Sequence, residues 1–125
     1  MSVLVDTSVL VDYLRGHEMA VTVLETERGA GPLRASEITR LEILAGMRPD
    51  EEARTGSLLG ALVWHPVDQA VAEEAGALGR QWLTSHRGID GADLAIAATA
   101  TLNGLRLLTL NVKHFPMFPG LRPPY

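Results

Sequence analysis

Val3-Leu4-Val5-Asp6-Thr7-Ser8 is the stretch on which the fold turns. A bare run of three apolar residues reads as a short, fully buried strand. Asp6 ends that run, and from Thr7 to about Arg15 the pattern becomes that of a helix, which Gly16 closes. The same alternation repeats outward along the chain. An amphipathic stretch over 18–28 ends at the turn Gly29-Ala30-Gly31-Pro32, and 33–35 is a brief strand. Ser36 can cap the next helix, which carries Glu42 and runs to about Arg48, where Pro49 and Asp50 break it. Residues 51–62 begin another helix. Residues 63–67 form a third strand, placed near an edge because Pro66 interrupts it. Asp68 caps a long helix to about Thr84, and Asp90 caps one that reaches Asn103-Gly104. Residues 105–110 form the last strand, and the proline-rich tail from Pro116 is extended. Such alternation predicts an α/β fold: one domain over residues 1–125, with a short, mostly parallel central sheet and helices on both faces.

Composition agrees with one compact domain. A chain of 125 residues buries roughly two-thirds of its unfolded surface, enough for a core without cross-links. The absence of cysteine excludes disulfides and thiolate zinc sites, and makes a reducing, cytoplasmic setting the expectation. Asp6 interrupts the N-terminal apolar run, and no stretch of about 18 apolar residues follows, so neither a secretory signal nor a membrane span is expected. The formal charge of −4 argues against a general grip on nucleic acid. A local basic patch stays open, because ten of the eleven cations are arginines, the side chain best matched to phosphate.

Four acids, Asp6, Glu42, Asp90 and Asp93, stand where the pattern allows them least. Asp6 follows the buried strand directly. Glu42 shares a helix face with Ile38, Ala45 and Gly46, and Asp93 shares one with Ile96, Ala97 and Ala100. A carboxylate on an apolar face carries a penalty of several kcal/mol unless something compensates it. The single lysine, Lys113, lies near none of them in sequence. In open parallel sheets, sites form beyond the carboxyl ends of the strands. Asp6, Ser36 with the start of the Glu42 helix, Thr109 with Asn111, and the helix beginning at Asp90 all lead to that edge. Oxygen donors without cysteine or paired histidines suit Mg²⁺ or Mn²⁺ rather than zinc.

Plainer readings compete for some of these residues. Asp6 could cap the helix from Thr7. Asp90 and Asp93, three residues apart, imitate a capping box, which explains Asp90 as well as metal binding does and Asp93 poorly. Glu37 and Arg40 read as a solvated surface pair. The four histidines have no ligand-like spacing, and only His114, beside Lys113, has a plausible substrate role. Tyr13, Trp64, Trp82 and Phe115 are scattered and read as core, while Asp12 reads as rim.

The motifs are similar to those of the PIN-domain ribonucleases, and most closely to the VapC toxins of bacterial type II toxin–antitoxin pairs. They are Val-Leu-Val-Asp-Thr-Ser at 3–8, Thr-Arg-Leu-Glu-Ile-Leu-Ala-Gly at 39–46, Asp-Leu-Ala-Ile-Ala-Ala-Thr-Ala at 93–100 and Thr-Leu-Asn-Val-Lys-His-Phe at 109–115. They occur in family order, and the resemblance runs from Val3 to about Leu121. It implies a single PIN domain and a metal-dependent endoribonuclease, as a rule a homodimer, that forms a hetero-oligomer with an inhibitory VapB-like antitoxin. By position, Asp6, Glu42 and Asp93 match the family's acidic core. The fourth acidic position, after the last strand, is Asn111 here; its neutral amide weakens any second metal site, and whether Asp90 substitutes is open.

These premises assign roles. Asp6 and Asp93 are expected as direct ligands of Mg²⁺ or Mn²⁺, and Glu42 as a ligand through water or the group that orients the attacking water. Asp90 is the further candidate ligand. Thr7, Ser8, Thr109 and Asn111 would donate to the acids or touch substrate. Arg15, Arg40, Arg87, Lys113 and His114 are candidate RNA contacts by nearness in sequence. Two carboxylates ~4 Å apart repel by about 4 kcal/mol at an effective dielectric of about 20. Without a cation, one or more of the acids should therefore keep its proton at neutral pH. With no aromatic platform, specificity should come from the shape of a structured transfer or ribosomal RNA. Two other readings are carried: a phosphoacceptor receiver-like domain, and a catalytically inactive PIN-fold binding domain. The first would want an acid pair after the first strand and a lysine after the last, but Thr7 follows Asp6 and Lys113 lies four residues past Thr109.

The partner expectation rests on surplus apolar surface. Ile43, Leu44 and Met47 point away from the Glu42 face, the first helix carries Val9, Leu10, Tyr13 and Leu14, and the 51–62 helix adds Leu58, Leu59 and Leu62. A helix apolar nearly all round must be buried on both sides. An exposed groove is expected where the first helix and the Glu42 helix meet the 51–62 helix, with an amphipathic antitoxin segment as occupant.

Overall fold

The computed structural model describes residues 2–125. Its strands are short: β1 (Val3–Val5), β2 (Leu33–Ser36), β3 (Val63–His65) and β4 (Arg106–Leu108). All pairings are parallel and the order is β3-β2-β1-β4. The chain thus builds from β1 through β2 to β3, then returns to lay β4 on the other side of β1. The strand order reverses between β1 and β4, and the crevice beyond their carboxyl ends is where such sheets carry ligands. Pro66 has no N–H for a ladder, so β3 stops at His65 rather than at residue 67, and it is an edge strand as expected. β4 is shorter than the expected 105–110, which leaves Thr109 to Asn111 beyond its end.

Six helices alternate with the strands: α1 (Thr7–Leu14), α2 (Glu18–Ala30), α3 (Glu37–Ala45), α4 (Glu52–Gly60), α5 (Gln69–Trp82) and α6 (Gly91–Asn103). Single 3-10 turns cover Pro49–Glu51 and Val112–His114. The caps are those the sequence predicts: Ser36 Oγ accepts from Ile38 N–H at 3.2 Å, and Asp68 Oδ1 from Val71 N–H at 3.0 Å. Successive strand residues face opposite sides, so β1 sends Leu4 into one layer and Val3 and Val5 into the other. The first layer holds α5, α6 and Phe115; the second holds α1, α2, α4 and Ile43 of α3.

α6 is buried along its length, from Asp93 through Ala100. Its alanines let it nest between the sheet and α5. At Gly79 of α5 an added Cβ would stand 3.3 Å from Leu94 Cδ1, so the two helices meet at a distance that favours glycine. α3 departs from expectation. It ends at Ala45 rather than near Arg48, and it does not bury both sides: Ile43 is in the core, but Leu41 and Leu44 are 60% and 46% exposed. Among the described residues, no helix is long and apolar enough to cross a membrane.

Candidate active site

Asp6 leaves β1 directly into the crevice between β1 and β4. Its backbone N–H continues the ladder to Leu108 C=O at 2.8 Å. Asp6 occupies the N-cap position of α1, yet its carboxylate makes no cap hydrogen bond. Instead Oδ2 accepts from Thr109 Oγ1 at 2.7 Å and from Ser8 Oγ at 2.8 Å. Ser8 Oγ accepts in turn from Leu110 N–H (3.1 Å), and Thr109 Oγ1 from Asn111 N–H (2.9 Å). The plain capping reading of Asp6 is therefore set aside. Asn111 contributes its backbone to this network, and its side chain is exposed.

Glu42 is joined to the same edge through Thr7, whose Oγ1 donates to Glu42 Oε1 at 2.7 Å. Thr39, wholly buried, stands 3.0 Å from that hydroxyl and can donate back to it. Thr39 was not foreseen; it lies one turn before Glu42 on α3, which a helix-spacing argument could have found. Arg40 is not Glu42's partner. It pairs with Glu37, as expected, and its guanidinium lies over Trp64, 4.1 Å from the ring centroid. That engagement argues against the candidate RNA contact at Arg40. Arg15 lines a small cavity with Glu42 and Met47, of about 70 Å³, while Arg87 and Lys113 are exposed.

Asp93 opens α6 and forms the full capping box with Asp90. Asp90 Oδ1 accepts from Asp93 N–H at 2.9 Å, and Asp93 Oδ2 accepts from Asp90 N–H at 3.1 Å. Capping thus accounts for Asp90, whose residue is exposed. It compensates only one oxygen of Asp93, which is 8% exposed. Burial pushes the Asp93 carboxyl up to about 6; the Asp90 N–H and the His114 ring pull it down, and the Asp90 charge pushes it up. At neutral pH Asp93 is accordingly mostly ionised, so retention of a proton there is met in direction only. His114 Nδ1 is 3.1 Å from Asp93 Oδ2, a contact that histidine spacing gave no hint of.

One pattern runs through the three acids. Asp6, Glu42 and Asp93 each have one carboxylate oxygen held by protein donors and one that, among the described residues, no protein hydrogen bond reaches. Nor are those free oxygens among the sealed, partnerless atoms, which among the described residues are Arg34 Nε and Trp82 Nε1. Hard oxygen donors left open, with no lysine or arginine among the described residues bonded to them, have the donor chemistry of a Mg²⁺ or Mn²⁺ site. Among the described residues, no three acids or histidines close into a ligand cage on their own, so the fit is one of donor type.

The apolar groove exists, but α2 and not α3 forms its second wall. It is about 580 Å³ and is bounded by α1, α2 and α4, with Tyr13, Leu14, Leu24, Leu58 and Leu62 along it and Glu25, Arg28 and Arg54 among its polar lining. Val9 and Leu10 do not line it: both are fully buried beneath α1. Leu59 packs against the core, Leu44 is exposed elsewhere, and Met47 belongs to the small cavity beside Glu42. Periodicity marked which helices carry surplus apolar surface and not which of them are neighbours. Asp12, expected at the rim, accepts from Tyr125 Oη at 2.7 Å.

The PIN-domain family profile matches residues 3–116. Over 123 residues the chain is 46% identical to the ribonuclease VapC19 of Mycobacterium tuberculosis, covering 98% of each chain. It is 41% identical to the ribonuclease VapC10 of the same organism, covering 98% of this chain and 92% of that one. The fold matches a toxin–antitoxin complex from Klebsiella pneumoniae with a TM-score of 0.82 at 33% identity, over 99% of this chain and 98% of that one. It also matches VapBC2 from Rickettsia felis, solved bound to a promoter DNA fragment, with a TM-score of 0.83 at 21% identity over 97% and 96%, a likeness of fold alone.

Proposed function

The chain belongs to the PIN-domain family, among its VapC ribonucleases, and on that premise we propose that it is the toxin of a type II toxin–antitoxin pair, a Mg²⁺- or Mn²⁺-dependent endoribonuclease. The observation that carries this reading is the shared state of Asp6, Glu42 and Asp93, each with one oxygen held and one free. The receiver-like alternative falls with the family assignment.

When bound, a divalent ion would activate a water and neutralise charge on the phosphoryl and leaving oxygens. Asp6 and Asp93 would hold it through their free oxygens. Glu42 uses the oxygen that Thr7 leaves open to orient the attacking water. Ser8 and Thr109 fix Asp6 by donating to its other oxygen, so the ligand carboxylate is already turned before metal or RNA arrives, the usual service of outer hydrogen bonds at a metal site. Arg15, Arg87 and Lys113 supply cations for the phosphates flanking the cut. Because no aromatic cluster offers a stacking surface, the substrate is a structured transfer or ribosomal RNA in the cytoplasm, read by shape and phosphate spacing.

The groove between α1, α2 and α4 takes the apolar face of an antitoxin helix. The toxin also forms a homodimer through a separate surface. The test is to sequence the 5′ ends released after brief expression, with and without the cognate antitoxin. Cuts at a few positions in structured RNA, abolished by the antitoxin, are expected. Cuts dispersed evenly over messenger RNAs would contradict the target, and cuts unaffected by the antitoxin would contradict the pairing.

A further inference from the structure

The segment that follows β4 touches both acidic centres. At its start, Thr109 Oγ1 donates to Asp6 Oδ2. Five residues on, His114 Nδ1 meets Asp93 Oδ2 at 3.1 Å. Between these contacts the backbone is held by its own bonds: Asn111 N–H to Thr109 Oγ1 (2.9 Å), His114 N–H to Asn111 C=O (2.9 Å) and Phe115 N–H to Val112 C=O (3.1 Å). Phe115, 1% exposed, anchors the far end in the core. The imidazole is therefore carried on a fixed backbone.

Its chemistry at Asp93 is specific. A carboxylate offers only acceptors, so the ring nitrogen facing it must bear a proton in either charge state of the histidine. Nδ1 makes a 3.1 Å polar contact with Asp93 Oδ2 beside the Asp90 N–H hydrogen bond, and among the described residues no protein hydrogen bond reaches Oδ1. The other ring nitrogen, Nε2, turns to Gly88, where an added Cβ would stand 3.8 Å from it. Gly88 has φ +96°, a backbone that favours glycine.

We propose that His114 is a positioning residue for Asp93: its close Nδ1 contact steers the carboxylate by Oδ2 and leaves Oδ1 to the divalent cation. Residues 109–114 then act as one template, with Thr109 setting Asp6 and His114 setting Asp93. This inference rests on the metal-dependent ribonuclease reading for what Asp93 binds.

The two ends of the imidazole can be imitated separately. The amide nitrogen of asparagine occupies the place of Nδ1, and that of glutamine the place of Nε2. Mn²⁺ affinity is measured by calorimetry on folded wild type, His114→Asn, His114→Gln and His114→Ala, alongside RNA cleavage. The proposal expects His114→Asn to bind Mn²⁺ within about threefold of wild type, and His114→Gln and His114→Ala to bind roughly tenfold or more weakly. The kcat should follow Mn²⁺ affinity at limiting metal while KM for RNA stays constant. Rescue by Gln and not by Asn, or a rise in KM with Mn²⁺ affinity unchanged, would make His114 an RNA contact and overturn the proposal. Equal Mn²⁺ affinity in all four proteins would overturn it as well. A wild type that bound no Mn²⁺ would instead overturn the ribonuclease reading on which it stands.

Discussion

At the scale of the residue, the site is a matter of which carboxylate oxygens the protein keeps and which it leaves. Asp93 makes a pH prediction with a definite sign. Its folded value of about 6 stands above the ordinary 3.8, so between those values the folded state binds more protons than the unfolded one. The metal-free protein should therefore be most stable below about pH 4 with respect to this group, losing that contribution as pH rises through about 6. Thermal melts from pH 4 to 7 should show that decline in wild type and a flatter profile in Asp93→Asn; parallel profiles would show that the group is not raised. Mn²⁺ affinity should move the opposite way, rising through the same interval, because the ligand is the carboxylate. At Asp6, Thr109→Val removes one of two hydroxyl donors. A loss in Mn²⁺ affinity of about tenfold is expected without loss of fold, and unchanged affinity would deny Thr109 its role. Asp6, Glu42 and Asp93 were legible in the sequence because an acid on an apolar face is conspicuous. The contacts of Thr39 with Thr7 and of His114 with Asp93 were not, because those partners lie 32 and 21 residues away and neither a buried threonine nor a histidine named only as a substrate contact carries a local signature of its partner.

At the scale of the element, the turns and caps came from the chain while the neighbourhoods did not. Pro66, Asp68, Ser36 and the Asp90–Asp93 pair each mark an end that local chemistry sets, and the elements start or stop at or beside them. The wall of the groove was misassigned because a period of 3.6 residues identifies an apolar face without saying which helix lies against it. Val9 and Leu10 went to the core beneath α1, and α2 took the place expected of α3. Leu14→Glu should weaken antitoxin binding at least tenfold in a protein that still melts cooperatively, since Leu14 lines the groove and is only partly buried. Met47→Glu, away from the groove in the cavity beside Glu42, should leave that affinity within about twofold. The reverse order would move the antitoxin to α3. Phe115→Ala, beneath the His114 turn, should cost about 3–5 kcal/mol in denaturant unfolding; a cost under about 1 kcal/mol would mean that the ring does not anchor the segment.

At the scale of the whole molecule, the order β3-β2-β1-β4 does the arranging. It brings residues 6 and 109, at opposite ends of the chain, to the two sides of one crevice, while Asp93, at the start of α6, meets His114 five residues after Thr109. The alternation of short strands and helices made the parallel sheet legible, whereas its strand order is a tertiary outcome that no local pattern encodes. The central claim is that this edge holds a divalent cation with which it cuts RNA. The most direct measurement is cleavage of a structured RNA by purified, antitoxin-free protein, with Mn²⁺ and with chelator, for wild type, Asp6→Ala and Asp93→Asn, each shown to be folded. The account predicts cleavage by wild type with Mn²⁺, none with chelator, and a loss of at least about a hundredfold in both variants. Cleavage that survived chelation, or either variant cutting at the wild-type rate, would contradict it.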